Sequence, residues 1–188
     1  MRVIAGEYRS RILQAPRGLD TRPTSDRLRE TLFNVLAPRV QGAIFIDLYA
    51  GSGAVGVEAL SRGAGESIFV EHAAAAMKVI RANLASLGIR GNYALEPRSV
   101  EGALERLAEQ GRTADIVFLD PPYAQAAAYE ATLGLLGGSC RRVLAEGAVV
   151  IAEHEKRRDL DARFGALERY RVLRQGDAAL SFYRVSEG

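Results

Sequence analysis

From residue 44 onward, apolar positions along the chain fall into two alternating rhythms. Short continuous runs rich in β-branched and aromatic residues read as strands at 44–48, 67–71, 93–97, 115–119 and 148–152. Between them, apolar residues at helical spacing predict helices at 55–62 and 73–87, the second closed by Gly88. Two more are predicted at 100–110 and from just after Pro121-Pro122 to about Leu136. Two last runs, 167–174 and 179–185, flank Gln175-Gly176-Asp177, a hairpin-type turn. Alternating strands and helices predict an α/β fold: a mostly parallel sheet of seven strands, helices on both faces and a C-terminal antiparallel hairpin. Residues 1–24 break the rhythm. Pro16, Gly18 and Pro23 punctuate them, and they read as a small hairpin-like extension ahead of a domain at 25–188. Thr24 or Ser25 then caps a helix to about Leu36, with Asp26 in its first turn.

Composition narrows the class. At 188 residues, 48% hydrophobic and 26% charged, the chain suits one soluble globular domain. No apolar run reaches the roughly 18–20 residues that span a bilayer, and charge interrupts the N-terminus where a signal peptide would need an apolar core. The single cysteine, Cys140, excludes an internal disulfide and suits a reducing cytoplasm. Two histidines, His72 and His154, without a cysteine cluster speak against a transition-metal site. The near-neutral total hides an asymmetry: residues 1–40 hold eight arginines against four acids, while the rest is slightly acidic. A basic front segment hints at a polyanionic partner.

The chemistry lies just after the strands, where open α/β sheets bind ligands. Gly51-Ser52-Gly53-Ala54-Val55-Gly56 is a G-x-G-x-x-G loop between a strand and a helix. In a dinucleotide site such a loop faces a pyrophosphate. Asp47, four residues ahead of Gly51, opposes that reading, because a carboxylate is poorly placed beside an anion. It suits the ammonium and sulfonium of S-adenosylmethionine. Glu71, ending the second strand, can accept from both hydroxyls of a ribose. Asp120-Pro121-Pro122-Tyr123 decides between the ligands. An exocyclic amino nitrogen is a poor nucleophile, since its lone pair is delocalised into the ring. The Asp120 carboxylate and the Pro121 carbonyl can hold its hydrogens, the prolines stiffen the loop, and Tyr123 can stack on the base. A carboxylate also stabilises positive charge developing on nitrogen.

Asp47–Gly56 resembles the first motif of Rossmann-like class I S-adenosylmethionine-dependent methyltransferases, and Asp120–Tyr123 resembles their amino-methylating motif, written (D/N)PP(Y/F). Arg2-Val-Ile-Ala-Gly6, Tyr8-Arg-Ser-Arg11, Pro16, Arg22-Pro-Thr24 and the segment Asp26–Asn34 are similar to the opening of the RsmD family, as is Gln175–Tyr183 to its close. Members of that family are bacterial enzymes that methylate the 2-amino group of one guanine in 16S ribosomal RNA. The resemblance implies that Asp47, Tyr49, Gly51, Ser52 and Gly53 cradle the methionine part of the cofactor and that Glu71 holds its ribose. Asp120, Pro121, Pro122 and Tyr123 would hold the target amino group. The family's adenine-contacting acid falls on Ser99, a departure; the Ser99 hydroxyl and the Val100 N–H remain able to bind adenine. Arg9, Arg11, Arg22, Arg27 and Arg29 become candidates for RNA phosphates. Glu153 and His154 are left unassigned. No metal is needed, no membrane is involved, and a monomer acting on an assembled or partly assembled small ribosomal subunit is expected. The alternatives are an amino-methyltransferase acting on DNA or another RNA, a nicotinamide-dependent oxidoreductase, and a non-catalytic RNA-binding assembly factor.

Overall fold

In a computed structural model the chain is described at residues 1–16, 24–122 and 125–186. Its strands are β1 (Ile44–Leu48), β2 (Glu66–Val70), β3 (Tyr93–Glu96), β4 (Ala114–Leu119), β5 (Leu144–Glu155), β6 (Arg163–Phe164), β7 (Leu167–Gln175) and β8 (Ala178–Val185). Its α-helices are α1 (Asp26–Val40), α2 (Ala54–Ser61), α3 (Ala74–Ser86), α4 (Val100–Glu109) and α5 (Ala126–Gly137). The strands form one sheet in the order β3-β2-β1-β4-β5-β8-β7-β6. The pairs from β3 to β5 are parallel, and β8, β7 and β6 are antiparallel. The sheet thus has eight strands where seven are predicted. The eighth, β6, is a two-residue edge strand too short to leave a periodic signal.

Alternation along the strands splits the core. Ile46, Leu48, Val117, Leu119, Val150 and Ala152 face α4 and α5. Phe45, Ile116, Phe118, Val149 and Ile151 face α1 and α2, and Phe69 packs with α2 and α3. Helix α1 buries Leu28, Leu32, Phe33, Leu36 and Val40 along one stripe. It outlasts the expected stop at Leu36 because Pro38 sits in its last turn. The carbonyl that Pro38 leaves unbonded belongs to exposed Asn34, open to water, while Val40 gains a place in the core. Strand β5 likewise outlasts its apolar run, which ends at Ala152; Glu153, His154 and Glu155 stay extended because they pair with Leu180, Ala179 and Ala178 of β8.

The first residues form a small antiparallel turn, with Arg2 bridged to Ile12 and Val3 N–H bonded to the Arg11 carbonyl at 2.9 Å. It packs firmly against the helices: Val3 and Leu13 are buried beside α2 and α3. Glu58 of α2, itself buried, accepts from the backbone N–H groups of Ile4 (2.8 Å) and Ala5 (3.0 Å) and from Arg62 (2.7 Å). Asn83 of α3 accepts from Gln14 N–H at 2.8 Å and donates back to the Gln14 carbonyl at 3.0 Å.

Candidate functional site

Strand order reverses between β1 and β4, so the loops after these strands diverge and leave a crevice at their carboxyl ends. A cavity of about 280 Å³ opens there, lined among others by Thr24, Asp47, Gly51, Glu71, Asp120 and Pro122. A wider recess of about 680 Å³ adjoins it. The two share Tyr49, Glu71, His72 and Gln125, and Arg98, Ser99 and Val100 line the second.

The glycine loop is built for close approach. Gly51 and Gly53 take φ of +56° and +77°, a region that side chains disfavour, and Gly53 is the N-cap residue of α2. A Cβ on Gly56 would stand 2.4 Å from the Phe69 ring, so the third glycine lets α2 lie directly on β2. Gly53 has the same character: its absent Cβ would meet Ile80 and Phe69 at 3.2 and 3.3 Å, so it serves turn and packing. Tyr49 has a φ of +61°, and its hydroxyl pairs with Thr132 at 2.8 Å. The Ser52 carbonyl accepts from Asn83 at 2.9 Å, tying the loop to α3.

Carboxylates dominate the site. Asp47 is buried and accepts from Gly56 N–H at 2.9 Å. Burial pushes its carboxyl up to about 8; Glu71 and Glu153 add to the rise and the Gly56 bond opposes it. Glu71 accepts from Gly51 N–H (2.9 Å) and Ala73 N–H (2.8 Å), so it braces the glycine loop and satisfies the start of α3, whose N-cap residue Ala73 has no side chain to do so. Asp120, partly buried, is pushed well above the usual carboxylate range by burial, then by Glu153 and Asp47, with a bond from Thr24 acting the other way. No arginine or lysine lines the first cavity among the described residues. Such a donor set would repel a pyrophosphate. It fits a ligand carrying positive charge next to the glycine loop, as the sulfonium and ammonium of S-adenosylmethionine would be.

The structure therefore brings Asp47, Tyr49, Gly51, Ser52, Glu71, Asp120 and Pro122 around one cavity. Ser99 and Val100 lie on the neighbouring recess, where the Ser99 Oγ also caps α4 by accepting from Gly102 N–H at 3.2 Å. Pro121 is buried behind the loop. Tyr123 and Arg22 lie outside the described residues. Arg9, Arg11 and Arg27 are exposed, and Arg11 also donates to the Ser86 carbonyl at 2.8 Å. Arg29 is a correction. It is fully buried, pairs with Asp26 (2.9 Å) and Glu58 (3.7 Å) and donates to the Arg2 carbonyl. It ties the N-terminal turn to α1 and α2 and cannot reach an RNA phosphate.

Glu153 escapes the sequence reading, and Thr24 enters it as a helix-cap candidate within Arg22-Pro-Thr24 and not as a partner of Glu153. Glu153 is 3% exposed and accepts from the Thr24 hydroxyl at 2.6 Å; Thr24 Oγ also stands 3.5 Å from Asp120 Oδ2. Glu153 had a usable signal. It directly follows the apolar run of β5, the place that Asp120 occupies after β4 and Glu71 after β2. Among the described residues no group of His, Cys, Asp and Glu is arranged to hold a metal ion, and no helix is long and apolar enough to cross a membrane.

Comparison with known proteins agrees with this geometry. A family model described as conserved hypothetical protein 95 matches residues 1–184. The YlbH protein of Bacillus subtilis strain 168 is 34% identical over 184 residues, 98% of each chain. Ribosomal RNA small subunit methyltransferase D of Escherichia coli strain K12 is 40% identical over 155 residues, 82% of this chain and 75% of that one. The solved structure of Escherichia coli yhhF superposes with a TM-score of 0.80 at 37% identity, over 98% of this chain and 97% of that one.

Proposed function

The chain belongs to the RsmD family of ribosomal RNA small subunit methyltransferases, and on that premise we propose that it methylates the exocyclic 2-amino group of a guanine in 16S ribosomal RNA, using S-adenosylmethionine. The observation that carries the reading is the cavity at the β1/β4 switch point, where a glycine loop flanked by Asp47 and Glu71, with no described basic side chain in the lining, faces Asp120 and Pro122.

When bound, S-adenosylmethionine supplies a methyl group already activated on a sulfonium. The chain's own residues do the rest. Asp47 and the Gly51 loop balance the positive charge of the methionine part. Glu71 accepts from the ribose, and Ser99 with the Val100 N–H meets the adenine in the adjoining recess. Asp120 and the Pro121 carbonyl accept the two hydrogens of the amino group, which frees the nitrogen lone pair from the ring and aims it at the methyl carbon. A base inside a helix cannot reach such a pocket, so the guanine is turned out of its stack. Arg9, Arg11 and Arg27, with Arg22 beside them in sequence, supply phosphate contacts that position the RNA without reading it. So small an exposed basic surface cannot read a long sequence. The substrate is therefore a small subunit already shaped by its proteins, met in the cytoplasm by a monomer.

The test is transfer of labelled methyl to small ribosomal subunits lacking their natural methylation, with naked ribosomal RNA and DNA beside them, followed by nucleoside analysis. Label in N2-methylguanosine, greatest with the particle, is expected. Label in DNA alone, or in another nucleoside, overturns the reading.

A further inference from the structure

Methylation of a neutral amino group creates a proton that must go somewhere. Asp120 is the first acceptor; burial and the neighbouring acids let it take that proton, and it must become an anion again before the next turnover. The structure places a second acceptor one step away. Leu119 of β4 pairs with Ala152 of β5, so the next residues, Asp120 and Glu153, sit side by side at the same edge of the sheet. Both are in phase with the residues that face α1, Phe118 and Ile151. From that side comes Thr24, 8% exposed and immediately before Ser25, whose Oγ caps α1 by accepting from Leu28 N–H at 3.1 Å. The Thr24 hydroxyl is thus held on a rigid helix start. It donates to Glu153 Oε2 at 2.6 Å, and the same oxygen stands 3.5 Å from Asp120 Oδ2, within reach to accept from that carboxyl once it is protonated. Strand β5 is fixed from the other side as well, since the Tyr129 hydroxyl donates to the Glu153 carbonyl at 3.0 Å.

We propose that Glu153 is a positioning and proton-accepting residue of the methyl transfer, connected to Asp120 through the Thr24 hydroxyl. The inference rests on the methyl-transfer reading above. The amino nitrogen forms its bond to the methyl carbon as the carbon–sulfur bond breaks, the bonding pair passing to sulfur to leave a neutral thioether. The nitrogen, now positive, gives a proton to the Asp120 carboxylate. Asp120 passes a proton to Thr24 Oγ while Thr24 hands its own hydroxyl hydrogen to Glu153 Oε2. Asp120 is again an anion beside the methylated amine, and the proton rests on Glu153. It returns to water by the reverse path through partly exposed Asp120 once the product has left. A hydroxyl relay suits this task because a hydroxyl accepts and donates at once, and its geometry here is set by a helix cap and a paired strand.

Glu153→Gln separates the proton role from a structural one. A glutamine carbonyl still accepts the Thr24 hydrogen bond but takes no proton. With the full chain and undermethylated small subunits, this variant is expected to lower kcat about 10- to 100-fold, the scale of general acid–base help. KM, the cofactor Kd and Tm should stay near wild type. Thr24→Val should lower kcat similarly, and Thr24→Ser should recover it to within about threefold of wild type, because the hydroxyl returns. The double variant Thr24→Val/Glu153→Gln should be no worse than the weaker single one by more than about threefold, as for residues acting as a unit. Unchanged kcat in Glu153→Gln or in Thr24→Val overturns the relay, and so does a loss that follows Kd or Tm in proportion. Wild-type protein that transfers no methyl to particle or RNA overturns the methyl-transfer reading, and the relay with it. Active wild type with an unaffected Glu153→Gln overturns the relay alone.

Discussion

Two clusters of buried charge in this molecule are built on opposite terms. Around Glu58, charges are matched. Arg29 and Arg62 approach its carboxylate, two backbone N–H groups donate to it, and the N-terminal turn is thereby fastened to α2. At the sheet edge, burial and then Glu153 raise the proton affinity of Asp120, Asp47 adds to it, and Glu71 and Glu153 raise that of buried Asp47; no basic side chain is among the described cavity lining. The first cluster serves the fold, since each desolvated charge has a partner within the protein. In the second, no described arginine or lysine lines the cavity beside Asp47 and Asp120, which suits a ligand carrying positive charge.

The comparison can be broken most forcefully on its matched side. Glu58→Ala leaves the fully buried Arg29 with only Asp26 and the Arg2 carbonyl, strips Arg62 of its partner and strands two backbone donors, and is expected to cost about 3–5 kcal/mol of unfolding free energy. Urea denaturation measures this, and a loss under about 1 kcal/mol would show the network to be ornamental. Next comes the edge. Asp120→Ala removes the acceptor aimed at the amino group and should lower kcat about 10²- to 10³-fold. The cofactor Kd should change little, as isothermal titration would show.

The sharper test concerns Asp47. Its carboxyl is raised in the folded protein from 3.8 to about 8, so between these values the native state binds the extra proton. Stability of the ligand-free protein therefore falls as pH rises from about 4 to about 8. Asp47→Asn removes that slope while its amide oxygen can still accept from Gly56 N–H. The variant should be more stable than wild type at pH 8, by about 1–3 kcal/mol, and should lose cofactor affinity. Thermal melts at pH 5 and 8 check the first half; a steeper slope in the variant would contradict it. The smallest effect belongs to Ser25→Ala, which removes the cap of α1 and should cost about 1 kcal/mol by denaturant melt.

Much of the site was legible before the fold. Asp47, Gly51, Glu71 and Asp120 each follow or end an apolar run, and an α/β sheet gathers its strand ends at one edge. Glu153 occupies the same kind of position but went unassigned, because nothing in a linear reading says that β5 lies beside β4 with Ala152 opposite Leu119. Arg29 failed in the other direction. On charge alone it belongs with Arg27, yet two positions along a helix turn a side chain far around the axis, toward α2 and its buried Glu58. Helix α1 ran past Leu36 because exposure of Asn34 made Pro38 cheap, and exposure is a property of the packed state.

What the sequence determined alone was the order of strands and helices, the glycine loop and the acids that follow the strands. These follow from local periodicity and from chemistry carried by single residues. Only the tertiary structure decided which charges are matched within the fold and which face the cavity. It also decided that Thr24, from ahead of the first helix, meets Glu153 from the fifth strand. The reason is that pairing of charges depends on register and burial across 129 positions of chain, and no local preference encodes a contact at that separation.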